Sequence, residues 1–150
     1  VRHDSQSADE TVAALRSEES ELSVGSLGYY QDFAAQAHAI RKALRAQIAI
    51  LKTEGKTLAA YGAAAKGSTL LNFCGITAVD LAFVADRSPH KQGKLMPGAH
   101  VPIVATEQLA ARAPDVTLLL AWNYLDFFLE NADFIKQDGK FIVPLPEPRR

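Results

Sequence analysis

The sequence predicts an α/β domain of three layers, with a mostly parallel sheet and a long helix before it. Two observations indicate this architecture. From Leu27 to Lys52 the apolar residues recur every three or four positions, as on one face of a helix. After Gly55 short apolar runs alternate with helical patterns, which is typical of a parallel sheet covered by helices on both faces.

The N-terminal segment differs in composition from the rest of the chain. Residues 1–25 carry six acids against two arginines, and ADETVAALRSEES within them predicts a short helix that ends before Val24. We interpret residues 1–25 as a polar lead-in or linker and residues 26–150 as the folded domain. Because the chain starts at Val1 with the polar stretch VRHDSQSADE, we also expect it to be a fragment of a larger protein.

Each later element has its own signal. The expected strands are TLAAY (57–61), which should be central, DLAFVAD (80–86), HVPIV (100–104), VTLLLAW (116–122) and KFIVPLP (140–146). The expected helices are Lys66 to Cys74, closed by Gly75, then Thr106 to Arg112 and Leu125 to Gln137. Residues 87–100 are predicted to form a polar loop, because they are rich in glycine, proline and cations.

Composition bounds the class of protein. With 150 residues, 48% of them apolar, the chain fits one buried core. The formal net charge of −1 gives no reason to expect nucleic acid or a membrane surface as partner, and no apolar run approaches the roughly 20 residues of a membrane span. The lone cysteine, Cys74, excludes an intramolecular disulfide and a Cys-cluster zinc site, so a reducing, cytoplasmic setting is expected.

The stretch AYGAAAKGSTLLNFCG, residues 60–75, places Gly62, Ala64 and Gly67 in a G-x-A-x-x-G spacing between a predicted strand and a predicted helix. Such a turn presents backbone N–H groups and the positive end of a helix dipole. Gly62 allows the tight turn, a small residue 64 lets a diphosphate approach, and Gly67 allows close packing of helix on strand. Asp86 ends the next strand, where such folds hold a ribose hydroxyl. These features predict a Rossmann-like phosphate-binding turn; alternatively, the glycines serve only the turn and Asp86 caps a loop.

The lysine of this turn excludes one class of phosphate site. Lys66 precedes Gly67, whereas the lysine of an NTPase phosphate loop follows the second glycine, so NTP hydrolysis is not expected. Lys66 could instead contact a diphosphate, with Ser68 or Thr69 donating a hydroxyl group. Its structural alternative is a solvated lysine at a helix start. Ala65 is included in the predicted binding turn.

Further candidate substrate-binding residues lie in the loop after Asp86 and after the fourth strand. The cations of the loop could reach a diphosphate or a sugar, and the carboxyl edge of an open α/β sheet is where ligands bind. Their structural alternatives are solvated loop side chains, a histidine that satisfies a backbone group, and an indole packed under the next helix. No metal site is predicted, since four scattered histidines and one cysteine make no ligand cluster. The candidates are Arg87, His90, Lys91, His100, Trp122 and Asn123.

Three blocks, YGAAAKGSTLLNFCGI, VADRSPHKQGKLMPGAHVPI and LLLAWNY, together resemble the C-terminal domain of SAM-dependent C-methyltransferases that act on nucleotide-linked deoxy-keto sugars. The resemblance runs from about Tyr29 to Pro148. It implies a Rossmann-like domain that helps to hold a nucleotide sugar, such as a thymidine diphosphate sugar, with a zinc-binding part and a SAM-binding domain outside this chain. In that chemistry a base removes a proton beside the sugar ketone, and the enolate attacks the SAM methyl group. We therefore expect this chain to orient substrate, to bind no cofactor itself and to be inactive alone.

The chain departs from the family pattern beside the proposed pocket. Ser68 stands where the family usually has Asn, and Leu95-Met96 where it has an aromatic residue and Leu, so the identity of the base and the sugar does not carry over. The long helix could dock on the domains outside the chain, and its exposed face leaves room for self-association. Two alternatives remain open: an NAD(P)-dependent oxidoreductase domain, which the glycines and Asp86 support but which lacks a Tyr-x-x-x-Lys set, and a CoA- or nucleotide-sensing module.

Overall fold

The computed structural model describes residues 10–126, 140–146 and 148. The chain divides into two compact units, Val1–His38 and Ala39–Arg150. The first unit contains α1 (Glu10–Glu21) and the beginning of α2 (Leu27–Thr53), and the second contains the rest of α2 and the sheet. In the described part of the chain, no helix combines the length and the apolar character needed to cross a bilayer.

The first unit is helical and buries little. α1, the short helix expected from the sequence, has no buried residue. In α2 the hydroxyl of Ser26 accepts the Tyr29 N–H at 3.2 Å and so caps the helix start. The apolar residues of this part of α2 are largely exposed, among them Leu27 at 73% and Phe33 at 66% of their full accessible area.

The second unit contains a parallel sheet of five described strands. They are β1 (Leu58–Tyr61), β2 (Val84–Ala85), β3 (Ile103–Val104), β4 (Val116–Leu119) and β5 (Phe141–Ile142), arranged in the order β3-β2-β1-β4-β5. All four pairings of these strands are parallel. The helices are α3 (Ala65–Cys74) and α4 (Glu107–Arg112), with a 3₁₀ turn at Trp122–Tyr124. The predicted Rossmann-like α/β fold, with TLAAY central and a long helix before it, is confirmed.

Several strands are shorter than the apolar runs that predict them. Of DLAFVAD only Val84–Ala85 pairs on both sides, because the chain turns at Thr77–Asp80 and the N–H groups of Asp80 and Leu81 bond back to the Thr77 carbonyl. Leu81 is nevertheless fully buried. Burial thus extends beyond the residues that pair in the sheet. An apolar run predicts which residues are buried better than it predicts where a strand begins or ends. Most of the helix expected at 125–137 lies outside the described residues.

Alternate residues of the central strand face two cores. Leu58 and Ala60 belong to one apolar cluster, whereas Ala59 belongs to the other, and Tyr61 packs against it. This alternation is the two-residue period of a strand, and both faces are buried because helices cover each of them. The first cluster also receives Leu44, Ile48 and Leu51 from the second half of α2, and Leu71 and Cys74 from α3. Cys74 is thus a small residue of this core.

Candidate functional site

The predicted phosphate turn lies at the carboxyl edge of the sheet, directly after the central strand. Gly62 has a φ of +91°, in the left-handed region that favours glycine. A Cβ placed on it would come within 2.9 Å of the Ala121 Cβ, so the turn also approaches the chain that follows β4. The Gly62 N–H donates to the Ala85 carbonyl at 2.8 Å and continues the bonding between β1 and β2. Both conformation and space therefore require glycine here.

Gly67 holds α3 close to the end of β4. A Cβ on Gly67 would come within 2.8 Å of the Leu120 Cβ, a distance that real Cβ atoms do not reach without a shift of the neighbour. Leu120 is completely buried. Gly67 thus has the packing role that the sequence predicts for the last position of the G-x-A-x-x-G spacing.

The first turn of α3 presents backbone donors at this edge. Ala64, which precedes the helix, is extended with φ −89° and ψ 154°, and no side chain caps the helix. Its N–H donates to the Gly62 carbonyl at 2.8 Å, and the Ser68 N–H donates to the Ala64 carbonyl at 3.1 Å. Among the described residues, no acceptor faces the N–H groups of Ala65, Lys66 and Gly67. The donors available to an anion are therefore these three.

Lys66, Trp122 and Asn123 are brought together beside these amides. The Lys66 Nζ lies 4.3 Å from the centroid of the Trp122 ring, in a cation–π contact, and donates to the Asn123 Oδ1. The indole also packs against the first apolar cluster. Thr69 donates its hydroxyl to the Ala65 carbonyl of its own helix at 3.4 Å. All four residues are candidates from the sequence. The structure brings three of them, Lys66, Trp122 and Asn123, into one cluster.

Asp86 directly follows β2, and its carboxylate accepts hydrogen bonds from the protein backbone. Its Oδ2 accepts the Ala63 N–H at 2.6 Å, and its Oδ1 accepts the Ser88 N–H at 2.8 Å. Its backbone carbonyl accepts the Gln92 side-chain amide at 3.0 Å. Only 8% of the residue is exposed. Asp86 therefore ties the glycine turn to the loop after β2.

Lys91 faces the same turn from the loop after β2. Its Nζ donates to the Ala63 carbonyl at 2.8 Å and lies 3.4 Å from the Asp86 Oδ2. By contrast, Arg87, His90 and His100 are exposed. The described hydrogen bonds and ion pairs include none from these three side chains to the glycine turn. Among the candidate cations of this loop, Lys91 is thus the one with a described contact to the glycine turn.

The loop predicted at 87–100 contains more regular structure than expected. The Met96 N–H donates to the Val101 carbonyl at 2.8 Å, the Ile103 N–H donates to the Lys94 carbonyl at 2.8 Å, and Leu95 forms an antiparallel bridge with Pro102. These bonds make a hairpin whose tip is Pro97-Gly-Ala-His100. A single Pro-Gly pair was the signal for this turn, and the flanking residues do not alternate clearly enough to predict strands.

Asn72 on α3 holds the tip of this hairpin and was not predicted. Its side-chain amide donates to the Ser68 carbonyl at 2.8 Å and to the Pro97 carbonyl at 2.9 Å. A Cβ on Gly98 would overlap the Asn72 side chain, and Gly98 has a φ of +73°, so glycine is needed there. A polar residue within a helix gives no sequence signal that it docks a distant loop.

Tyr61 is a second residue that the sequence analysis did not select. It ends the central strand and is half-buried next to the glycine turn. Burial raises the pKa of its phenol, the nearby Arg87 lowers it, and Asp86 and Glu107 raise it further. The net direction is upward, so the phenol stays protonated at neutral pH.

Comparison with known proteins adds two findings. The model of a family described as the C-methyltransferase C-terminal domain matches residues 1–146. The C-methyltransferase NovU of Streptomyces niveus is 40% identical over 139 residues, which is 92% of this chain and 33% of that protein. The chain thus spans about a third of the length of this curated relative.

Proposed function

The chain belongs to the family of C-methyltransferase C-terminal domains, and from this premise we propose that it binds the nucleotide-linked deoxysugar substrate of a SAM-dependent sugar C-methyltransferase. The role proposed for the chain is to hold the substrate and orient it toward a methyl-transfer centre that lies outside these residues. Thymidine diphosphate is the nucleotide part that we propose.

One observation carries this proposal. The amides of Ala65, Lys66 and Gly67 start α3 without a described acceptor, at the carboxyl edge of the central strand. Unpaired amides and the positive end of a helix dipole favour an anion. The Lys66 ammonium group beside them adds a full positive charge. A diphosphate is the part of a nucleotide sugar that this set of donors suits.

The neighbouring side chains suit the rest of such a ligand. Trp122 and Asn123 offer an aromatic surface and an amide close to Lys66. In this arrangement the three amides and Lys66 hold the diphosphate. The sugar and the methylated carbon are not assigned to particular contacts.

The chemistry proposed for the chain is orientation and not proton transfer. SAM supplies the methyl group in the full reaction. We place its binding residues outside this chain, since no D-x-G-x-G loop occurs in the sequence, and the family resemblance places the zinc site and the base outside it as well. Holding two reactants in the correct geometry is itself a large contribution to a rate. A cytoplasmic setting is part of the same proposal, and Cys74 is buried as a free thiol.

The nicotinamide alternative loses its main support. It depended on an acid at the end of β2 that would hold a ribose, and both carboxylate oxygens of Asp86 already accept backbone N–H groups. No observation favours a CoA site over a nucleotide sugar. We therefore propose no second function.

A thermal-shift panel tests the proposal. The chain is heated with thymidine diphosphate glucose, NAD, CoA or SAM, each at the same concentration. A ligand at 100 times its dissociation constant stabilises the folded state by roughly 2.7 kcal/mol. We expect a rise in melting temperature with the sugar nucleotide alone. A folded chain that responds to NAD or CoA and not to the sugar nucleotide would refute the proposal.

A further inference from the structure

The two peptide groups that flank the Ala63 Cα are each held by a charged side chain. Its N–H donates to the Asp86 carboxylate at 2.6 Å, and its carbonyl oxygen accepts from the Lys91 ammonium group at 2.8 Å. The two side chains also face each other, with 3.4 Å between the Lys91 Nζ and the Asp86 Oδ2. Asp86 thus orients the Gly62–Ala63 peptide, and Lys91 orients the Ala63–Ala64 peptide. A flip of the first would turn the Gly62 carbonyl oxygen toward the carboxylate, and a flip of the second would turn the Ala64 N–H toward the ammonium group, so both contacts would become repulsive.

From this arrangement we infer that Lys91 is a positioning residue of the anion site. Together with Asp86 it fixes the two consecutive peptide groups on either side of the Ala63 Cα, and thereby the direction in which the first amides of α3 point. Lys91 does so through the backbone and not by touching the ligand. The inference rests on the proposed function, because it concerns the same donors at Ala65, Lys66 and Gly67.

The turn needs such a restraint because its own residues supply little. Gly62 has no side chain and a positive φ, so many conformations are open to the chain at this point. Within the turn one backbone bond is described, from the Ala64 N–H to the Gly62 carbonyl at 2.8 Å. Donors bind an anion well when they already point toward it, since no ordering is then required at the moment of binding. The charged pair provides this order.

The surroundings of the two lysines support different roles. Lys66 contacts Trp122 and Asn123 at the sheet edge, whereas Lys91 is directed to a backbone carbonyl and to Asp86, of whose side chain only 12% is exposed. Lys91 belongs to the loop after β2, 28 positions along the chain from Ala63. Its contact therefore also fixes the distance between that loop and the glycine turn.

The test uses the complete chain with Lys91→Met, Lys91→Gln and Lys91→Arg. Lys94→Met is the matched control, because Lys94 is an exposed lysine of the same loop whose described bonds are made by its backbone. Two quantities are measured: hydrogen exchange of the Ala63 amide without ligand, and the dissociation constant of thymidine diphosphate glucose. Circular dichroism confirms that each variant is folded, and Lys91→Gln, which keeps a donor and loses the charge, serves if Lys91→Met does not fold.

We expect Lys91→Met to speed exchange of the Ala63 amide and to weaken binding, each about tenfold, since a misplaced group commonly costs that much or more. Lys91→Arg should keep most of the protection of the Ala63 amide and most of the affinity, and Lys94→Met should change neither quantity. Weaker binding with unchanged Ala63 exchange would overturn the inference, because a direct ligand contact predicts that pattern. Unchanged exchange and unchanged binding would overturn it as well. A folded wild-type chain that does not bind thymidine diphosphate glucose would instead overturn the proposed function, and the inference with it.

Discussion

Lys66 lies over the indole ring of Trp122, with 4.3 Å between the ammonium nitrogen and the ring centroid. Lys66 lies in the first turn of α3, which follows β1, and Trp122 lies in the 3₁₀ turn that follows β4. Their contact places a positive charge beside the unpaired amides of α3. In our proposal Lys66 contacts the diphosphate, so it is the residue whose removal should affect binding most.

Lys66→Ala should therefore weaken binding and leave stability almost unchanged. A charge-assisted contact is worth about 1.5 to 3 kcal/mol, which corresponds to roughly tenfold to a hundredfold in affinity. An exposed cation–π contact contributes only about 0.5 to 1 kcal/mol, so the melting temperature should fall slightly. Calorimetric titration with thymidine diphosphate glucose measures the first effect, with Lys94→Ala as control. An unchanged dissociation constant would reduce Lys66 to a solvated lysine at a helix start.

Gly67→Ala should destabilise the domain. The added methyl group would come within 2.8 Å of the Leu120 Cβ, and overpacking of a buried contact typically costs about 1 to 3 kcal/mol. Gly25→Ala is the control, because no atom lies within 4 Å of a Cβ at that position. Urea unfolding followed by circular dichroism compares the two variants. Equal stability of Gly67→Ala and the wild type would mean that α3 is not packed tightly on the end of β4.

Asp115 should make stability depend on pH at the opposite edge of the sheet. Its pKa falls from 3.8 to about 2, first because its carboxylate accepts the Thr57 N–H, then because it accepts the Thr57 hydroxyl and pairs with Lys56. A carboxyl group whose pKa is lower in the folded state stabilises that state above its unfolded pKa, and this contribution is lost as the pH falls through the folded value. Asp115→Asn should thus lower the melting temperature at neutral pH.

The same pair of proteins tests the sign of this effect. The difference in melting temperature between wild type and Asp115→Asn should be constant above about pH 5 and should shrink as the pH falls from about 4 toward 2. Thermal unfolding at each pH, followed by circular dichroism, gives the difference. A gap that stays constant down to pH 2 would show that the Asp115 contacts do not depend on its charge.

Much of the fold follows from the sequence because its signals are local. The apolar run at Leu58, Ala59 and Ala60 and the glycine spacing after it predict a central buried strand and a turn into a helix, and both are observed. The roles of individual polar residues were harder to predict. Nothing in the sequence distinguishes Lys91, which turns toward Ala63, from a solvated cation, since the contact joins residues that are far apart in the chain.

Asn72→Ala should loosen the hairpin tip. The change removes the bonds to the Ser68 and Pro97 carbonyls, and each such bond contributes about 0.5 to 1.5 kcal/mol. Hydrogen exchange of residues 96–100 should become faster, while exchange in β1 should not change. Mass spectrometry of peptides from the two regions measures this. Equal acceleration in both regions would indicate general destabilisation and not release of the tip.

The isolated chain should not transfer methyl groups. Our proposal places the SAM site and the base outside these residues, so the chain alone should leave a nucleotide-linked keto sugar unchanged in the presence of SAM. Mass spectrometry of the sugar nucleotide after incubation would detect a gain of one methyl group. Methylated product from the purified chain would refute the assignment of the chain to substrate orientation alone.

The most direct test of the anion site is a titration of the ¹⁵N-labelled chain with thymidine diphosphate glucose, followed by two-dimensional NMR. We predict that the amide resonances of Ala65, Lys66 and Gly67 shift most as the diphosphate binds, because these are the donors without a described acceptor, and that the amide of Gly25 does not move. Saturable shifts confined to other residues, or no shift at millimolar ligand in a folded chain, would contradict the proposed site.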